Sequence, residues 1–160
     1  MTKNIPYGFV LWTKQGEENA MFITDISDRI MCKTNSGNKI YWMLTQENGA
    51  PNFELRYIEI PSNGKSSYGK HPHEHEVFVV QGKGKIVGDY IEEQLKPGMA
   101  VFVPGNEEHQ WINTETEPFG FICVVPKGAE ASVQATLLKM AGYILLSPRV
   151  QRVGRQRLGN

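Results

Sequence analysis

The chain has 160 residues, enough for one domain with a sizeable core. Its 17 basic and 17 acidic residues cancel, so no global field draws it to nucleic acid or to a membrane surface. No apolar run reaches the roughly 18 residues of a membrane span, and Met1-Thr2-Lys3-Asn4-Ile5-Pro6 lacks the long apolar stretch of a secretion leader, so a cytoplasmic protein is expected.

Short strands fill the first third. Phe9-Val10-Leu11-Trp12, Met21-Phe22-Ile23, Arg29-Ile30-Met31-Cys32 and Ile40-Tyr41-Trp42-Met43-Leu44 each have strand composition. Asn35-Ser36-Gly37-Asn38 reads as the hairpin turn between the last two, and Asn48-Gly49-Ala50-Pro51 as a loop. Phe53 to Ile60 alternates as a longer strand. Val77-Phe78-Val79-Val80 reads as a buried strand, turned by Gly82-Lys83-Gly84. Lys85-Ile86-Val87 returns, Gly88-Asp89 turns again, and Glu92-Glu93-Gln94-Leu95 leads into the Pro97-Gly98 turn. Met99 to Pro104, Gln110 to Asn113 and Phe119 to Val125 complete the series. Closely spaced short strands with Gly and Pro turns predict an all-β sandwich or barrel.

The end of the chain changes character. Ala131 to Leu146 carries Val133, Leu137, Leu138, Met140, Ala141, Ile144 and Leu145 at helical spacing, and Pro148 stops the pattern. Arg149, Arg152, Arg155 and Arg157 follow without an acidic residue. With no aromatic residue interleaved for base stacking, this arm reads as a solvated tail or one packed on a neighbouring subunit. The expected layout is one domain over 1–160: amino-terminal strands over 1–50, a barrel core over 51–127, and a helix with a basic arm over 128–160.

The chain has four histidines, and three of them fall in Gly69-Lys70-His71-Pro72-His73-Glu74-His75-Glu76. The fourth, His109, follows Pro104-Gly105-Asn106-Glu107-Glu108. Four imidazoles in two strand-flanked segments point to one metal site, because neutral imidazole is the commonest protein ligand for divalent transition metals. In a straight strand residues 71 and 75 would stand about 13 Å apart, too far to share an ion at about 2.1 Å bonds. Pro72 is the expected bend. If the chain bends there, His71 and His75 converge and His73 sits on the bulge. If it stays straight, His71 and His73 pair and Glu76 joins them. The favoured ligands are His71, His75 and His109, with His73 as the candidate fourth. By strand parity Trp111 and Asn113 share the face of His109, and Val77 and Val79 that of His75, so these four are the expected pocket wall. Cys32 and Cys123 read as buried free thiols rather than a disulfide.

Gly98, Pro104, His109 and Asn113 stand at the spacing of the second cupin motif, which reads Gly, five residues, Pro, one residue, Gly, two residues, His, three residues, Asn. Asn106 holds the place of the middle Gly, with Gly105 one residue early. The Glu-six-residues-Gly portion of the first motif maps onto His75 and Gly82. On these residues the chain resembles the cupins over roughly 50–127, and Glu74 to Val79 is similar to a small branch in which four histidines hold manganese. That branch would place its ligands at 69, 71, 75 and 109; Gly69 occupies the first.

The resemblance implies a double-stranded β-helix (jelly-roll) barrel, one divalent metal ion, a small-molecule substrate or ligand, and a homodimer. Manganese or iron is expected before zinc or nickel. Three imidazoles leave two or three coordination positions open for water, oxygen or a bidentate substrate. Three functions fit: an oxygenase-type oxidoreductase of the dioxygenase kind; a metal-dependent isomerase or lyase with Glu74 or Glu76 as base; and a non-enzymatic small-molecule sensor. The first is the expectation carried forward.

Overall fold

The computed structural model describes residues 22–29 and 31–129. Its strands in chain order are β1 (Met31–Lys33), β2 (Lys39–Leu44), β3 (Phe53–Ile60), β4 (His75–Gln81), β5 (Gly84–Gly88), β6 (Glu92–Leu95), β7 (Ala100–Val103), β8 (His109–Asn113) and β9 (Phe119–Pro126). Two single-turn 3₁₀ segments, Ile26–Asp28 and Gln46–Asn48, are the helical elements among the described residues. The strands form two antiparallel sheets, β1-β2-β3-β9-β4-β7 and β6-β5-β8. The described residues are all-β, and they form the jelly-roll barrel that the cupin resemblance implies.

Alternation builds the core. On β4 the inward positions are His75, Val77 and Val79; on β8 they are His109, Trp111 and Asn113; on β9 they are Phe119, Phe121, Cys123 and Val125. Ile60, Val79, Phe119 and Val125 are fully enclosed. Each such side chain contributes about 1.5–3 kcal/mol by leaving water. Trp111, Phe121 and Phe119 pack in succession with their rings tilted, centroids 5.0 and 5.3 Å apart, between the sheets. Gly82 closes the β4–β5 hairpin at φ 66°, and a Cβ there would overlap the Pro118 carbonyl, so the turn requires glycine.

Several predicted elements shift. Glu92 to Leu95 is a strand, β6, paired to β5 and tied by Lys85 Nζ to Glu92 Oε1 at 2.6 Å. Its polar composition suits an edge strand in which only Leu95 is buried. Phe22 and Ile23 lie outside any strand; the Phe22 ring instead lies under the Arg29 guanidinium, 5.2 Å from its centroid. The hairpin turn is confirmed, with Gly37 at φ 86° and Thr34 and Asn38 bonded across it. β1 and β2 extend the larger sheet beyond β3. The strand expected at Phe9–Trp12, Met21, the helix over 131–146 and the arginine arm lie outside the described residues. The chain's contacts divide it into two units, Met1–Lys127 and Gly128–Asn160, and all nine strands belong to the first. No helix among the described residues is long and apolar enough to cross a membrane.

Candidate metal centre

Two strand starts and one bend create the site. His75 opens β4 and His109 opens β8, each on the inward parity, so both rings are buried. The chain ahead of β4 bends at Pro72 and His73, and this folds His71 back on His75. Their ring nitrogens come within 3.2–3.3 Å, where a straight strand would separate the residues by about 13 Å. Three imidazoles, of His71, His75 and His109, then offer nitrogens that all lie within 4.8 Å of one another. Two nitrogens bound at about 2.1 Å and at right angles to one ion lie about 3 Å apart, which is the His71–His75 spacing. The donor set therefore fits a divalent transition metal held by His71, His75 and His109.

The motif's departure from the cupin pattern has a geometric cause. Asn106 adopts φ 67°, the left-handed conformation that the expected glycine would supply and that asparagine tolerates better than most residues. Its backbone N–H donates to the His71 carbonyl at 2.7 Å. At Gly105, a Cβ would overlap the Pro72 carbonyl oxygen. Asparagine at 106 and glycine at 105 thus clasp the His109 loop to the His71 loop. Gly69 and His109 complete the clasp by exchanging backbone hydrogen bonds at 3.0 and 3.3 Å.

Burial tunes the imidazoles for metal. Desolvation, aided by the Arg56 charge and then by the neighbouring imidazoles, pushes His75 down from 6.5 to about 2. Burial also lowers His109, partly offset by the hydrogen bond between its Nδ1 and the Glu107 carbonyl at 2.8 Å. Both rings are held neutral, the state in which a nitrogen lone pair can bind a cation. The depressed pKa makes folding stability pH-dependent. A histidine that ionises at 6.5 unfolded but near 2 folded supports the fold fully above 6.5 and loses that support as pH falls toward 2. We expect the metal-free protein to weaken in urea melts below pH 6.5 by up to about 1.4 kcal/mol per pH unit from His75. An unchanged slope in His75→Gln would refute this assignment.

The other predicted site residues fall in distinct places. His73 stacks flat on His71, with centroids 4.2 Å apart and planes 2° from parallel, beside the three-nitrogen group rather than within it. Glu74 is half-buried between His73 and β4. Glu76 lies exposed on the opposite face of β4 from His75, which turns it away from the cluster. Trp111 flanks His109 with ring centroids 6.4 Å apart, and Val77 and Val79 continue the His75 face into the core. Asn113 shares the inward face, but its side-chain amide donates to the carbonyls of Ile60, Pro61 and Glu117, and its oxygen accepts from the Glu115 N–H at 2.8 Å. It ties loops together instead of facing a ligand. A separate open concavity of about 400 Å³, lined by residues such as Lys83, Leu95, Lys96 and Thr114, contains no histidine.

Two further residues, Arg56 and Cys123, join the site from strands that read as core. Glu54 and Arg56 point into the barrel from β3, 1% and 3% exposed. The Arg56 guanidinium lies over Trp42, 5.4 Å from the ring centroid, and its Nη2 is 3.4 Å from His75 Nδ1 and 3.1 Å from Cys123 Sγ. Cys123 Sγ is in turn 3.3 Å from His75 Nδ1. The available signal was the alternation of Phe53–Ile60, which puts a carboxylate and a guanidinium on one face without saying which face is inward.

Gly69 bears on the fourth ligand. It sits directly opposite His109 in an antiparallel bridge, and opposed residues project to the same side. A Cβ there meets nothing within 4 Å. We expect Gly69→His to raise metal affinity at least tenfold in titrations of the metal-free protein with Mn²⁺, an effect of about 1.4 kcal/mol. Unchanged affinity would show that position 69 does not reach the ion.

Residues 56–125 match the cupin domain family. A stretch of 72 residues is 33% identical to the 1-methylthio-D-xylulose 5-phosphate methylsulfurylase of Rhodospirillum rubrum, over 45% of this chain and 46% of that protein. The match thus spans about half the length of that relative. Among solved structures, a cupin-2 domain protein from Rhodospirillum rubrum superposes with TM-score 0.55 and 26% identity, over 62% of this chain and 68% of that one. The polyketide cyclase RemF from Streptomyces resistomycificus gives TM-score 0.62 at 24% identity, over 67% and 80%. A predicted oxalate decarboxylase from Thermotoga maritima gives 0.60 at 15%, over 66% and 99%; these last two establish shared fold alone. With the family match spanning the strands that carry His75 and His109, residues 56–125 form a cupin domain.

Proposed function

We propose that this protein is a metal-dependent enzyme acting on a small molecule, with one manganese or iron ion held by His71, His75 and His109. The observation that carries the reading is the convergence of three imidazoles, two of them buried and held neutral, with no carboxylate in the group. A bound ion of this kind supplies open positions for substrate oxygen atoms and for dioxygen. The chain's own part is to orient the three rings, to exclude bulk water with Trp111 and Val77, and to keep the imidazoles unprotonated. The oxidoreductase reading, of dioxygenase type, follows from neutral ligands and vacant positions. Zinc in the same nitrogens would leave a Lewis acid without redox chemistry.

A second reading, Lewis-acid isomerase or lyase chemistry, is favoured by the methylsulfurylase relative, whose name describes a reaction of a sugar phosphate other than oxygenation. In this reading the base is Glu74 rather than the outward-facing Glu76. The homodimer belongs to the proposal as well: Phe78 and Phe102 stand exposed on the outer faces of the paired strands β4 and β7, a surface a second copy would cover. Light scattering of the full chain tests it.

Elemental analysis of the purified full chain, followed by reloading with Fe²⁺, Mn²⁺ or Zn²⁺ and oxygen-electrode assays on candidate substrates, separates the readings. Oxygen uptake with iron or manganese and none with zinc supports the oxygenase. Substrate turnover that persists with zinc and consumes no oxygen supports the Lewis acid. Ligand binding without turnover under any metal would overturn both.

A further inference from the structure

The partner on the far side of a ligand imidazole decides which of its nitrogens is free to bind a metal. For His109 that partner is the Glu107 carbonyl, 2.8 Å from Nδ1. A carbonyl only accepts, so Nδ1 carries the proton and the Nε2 lone pair stays open. His75 is different. Its Nε2 faces His71, while its Nδ1 faces Cys123 Sγ at 3.3 Å and Arg56 Nη2 at 3.4 Å. Arg56 Nη2 and Cys123 Sγ are themselves 3.1 Å apart.

This triangle permits two arrangements. A guanidinium has five donors and no acceptor. If Nδ1 of His75 is bare, it accepts from Arg56, and the ring proton sits on Nε2, where it blocks a metal. If Nδ1 carries the proton, both it and Arg56 are donors, and the acceptor left in the triangle is Cys123 Sγ. We propose that Cys123 is a positioning residue of the metal centre: its sulfur accepts from His75 Nδ1–H and from Arg56, and so selects the His75 tautomer that presents Nε2 to the ion. The inference rests on the metal-centre reading above. Metal-bound histidines usually donate to a carboxylate or a carbonyl; here a buried sulfur takes that place.

Strand register builds the arrangement. Arg56 on β3 is paired with Cys123 on β9, and Cys123 is paired with Val77 on β4, the next inward position after His75. Cys123 therefore lies beside one residue and diagonal to the other, within reach of both. A purely packing role for Cys123, which is 2% exposed, would need no such alignment of polar partners.

The test uses the full chain stripped of metal by chelation and titrated with Zn²⁺ calorimetrically. We expect Cys123→Ala, which removes the acceptor, to weaken zinc binding about 10- to 100-fold. Cys123→Ser, which restores an acceptor, should recover most of that loss. Histidine-ring ¹⁵N NMR of the zinc-bound wild type should show the proton on His75 Nδ1, and metal-free Cys123→Ala should shift it to Nε2. Wild-type affinity in a folded Cys123→Ala, or a Ser variant as weak as Ala, would overturn the proposal. So would a zinc-bound wild type lacking the Nδ1 proton, a result that needs no variant to fold. A wild type that binds none of Zn²⁺, Mn²⁺ or Fe²⁺ overturns the metal centre itself and this inference with it; intact binding with a silent Cys123 overturns this inference alone.

Discussion

His109→Ala is expected to strip the protein of its metal. The ring is one of three that converge, its Nδ1 is fixed by the Glu107 carbonyl, and its Nε2 has no substitute on β8. Changing an outer partner of a ligand typically costs 10- to 100-fold in affinity, so deleting the ligand itself should cost about 100-fold or more. His73→Ala should cost far less, because its ring stacks on His71 outside the three-nitrogen group. The measurement is metal content by elemental analysis after dialysis, for wild type and both variants at matched folded fraction. Equal retention in wild type and His109→Ala would remove His109 from the site. Loss in His73→Ala matching that in His109→Ala would restore His73 as a ligand.

Gly105→Ala should produce the second large effect, on both stability and metal binding, without touching a ligand. The added Cβ would overlap the backbone of Pro72, which cannot yield as a flexible side-chain end can. One of the two loops must move. The 2.7 Å bond from Asn106 to the His71 carbonyl and the Gly69–His109 bridge would be strained together, and His71 would leave His75 and His109. Overpacking of this kind costs about 1–3 kcal/mol, to which the lost hydrogen bonds add. We expect a melting point several degrees lower and at least tenfold weaker metal binding. Asn106→Gly should be mild by comparison, since glycine adopts the same positive φ freely and the bond to His71 uses the backbone. A Gly105→Ala protein that melts and binds metal like wild type would show that the two loops can separate at no cost to the centre.

Local chemistry was legible where a residue's role depends on its neighbours in sequence. Valine and phenylalanine runs gave the strands, and Gly37 and Gly82 gave their turns, because turn geometry is set within four residues. The histidine pattern gave the ligand candidates, and Pro72 gave the bend that lets His71 and His75 meet. Glu92 to Leu95 does not read as a strand in sequence because an edge strand with Glu92, Glu93 and Gln94 all exposed has little apolar signal. Asn113 matched the motif, yet its work is to bond the carbonyls at 60, 61 and 117, partners that sequence spacing cannot name.

The sequence by itself determined an all-β chain, the turns between its strands and a cluster of imidazoles suited to a divalent metal. Tertiary structure decided which side of β3 faces inward. Phe53, Leu55 and Tyr57 on β3 are the more apolar set, yet Glu54 and Arg56 are the buried ones. The reason lies in pairing: β3 is held in register with β9, whose Phe119, Phe121, Cys123 and Val125 face the core, and paired residues must share a face. That constraint sets Arg56 beside Cys123 and both behind His75. A strand's own alternation has two faces of equal period, and only the neighbour across the ladder chooses between them.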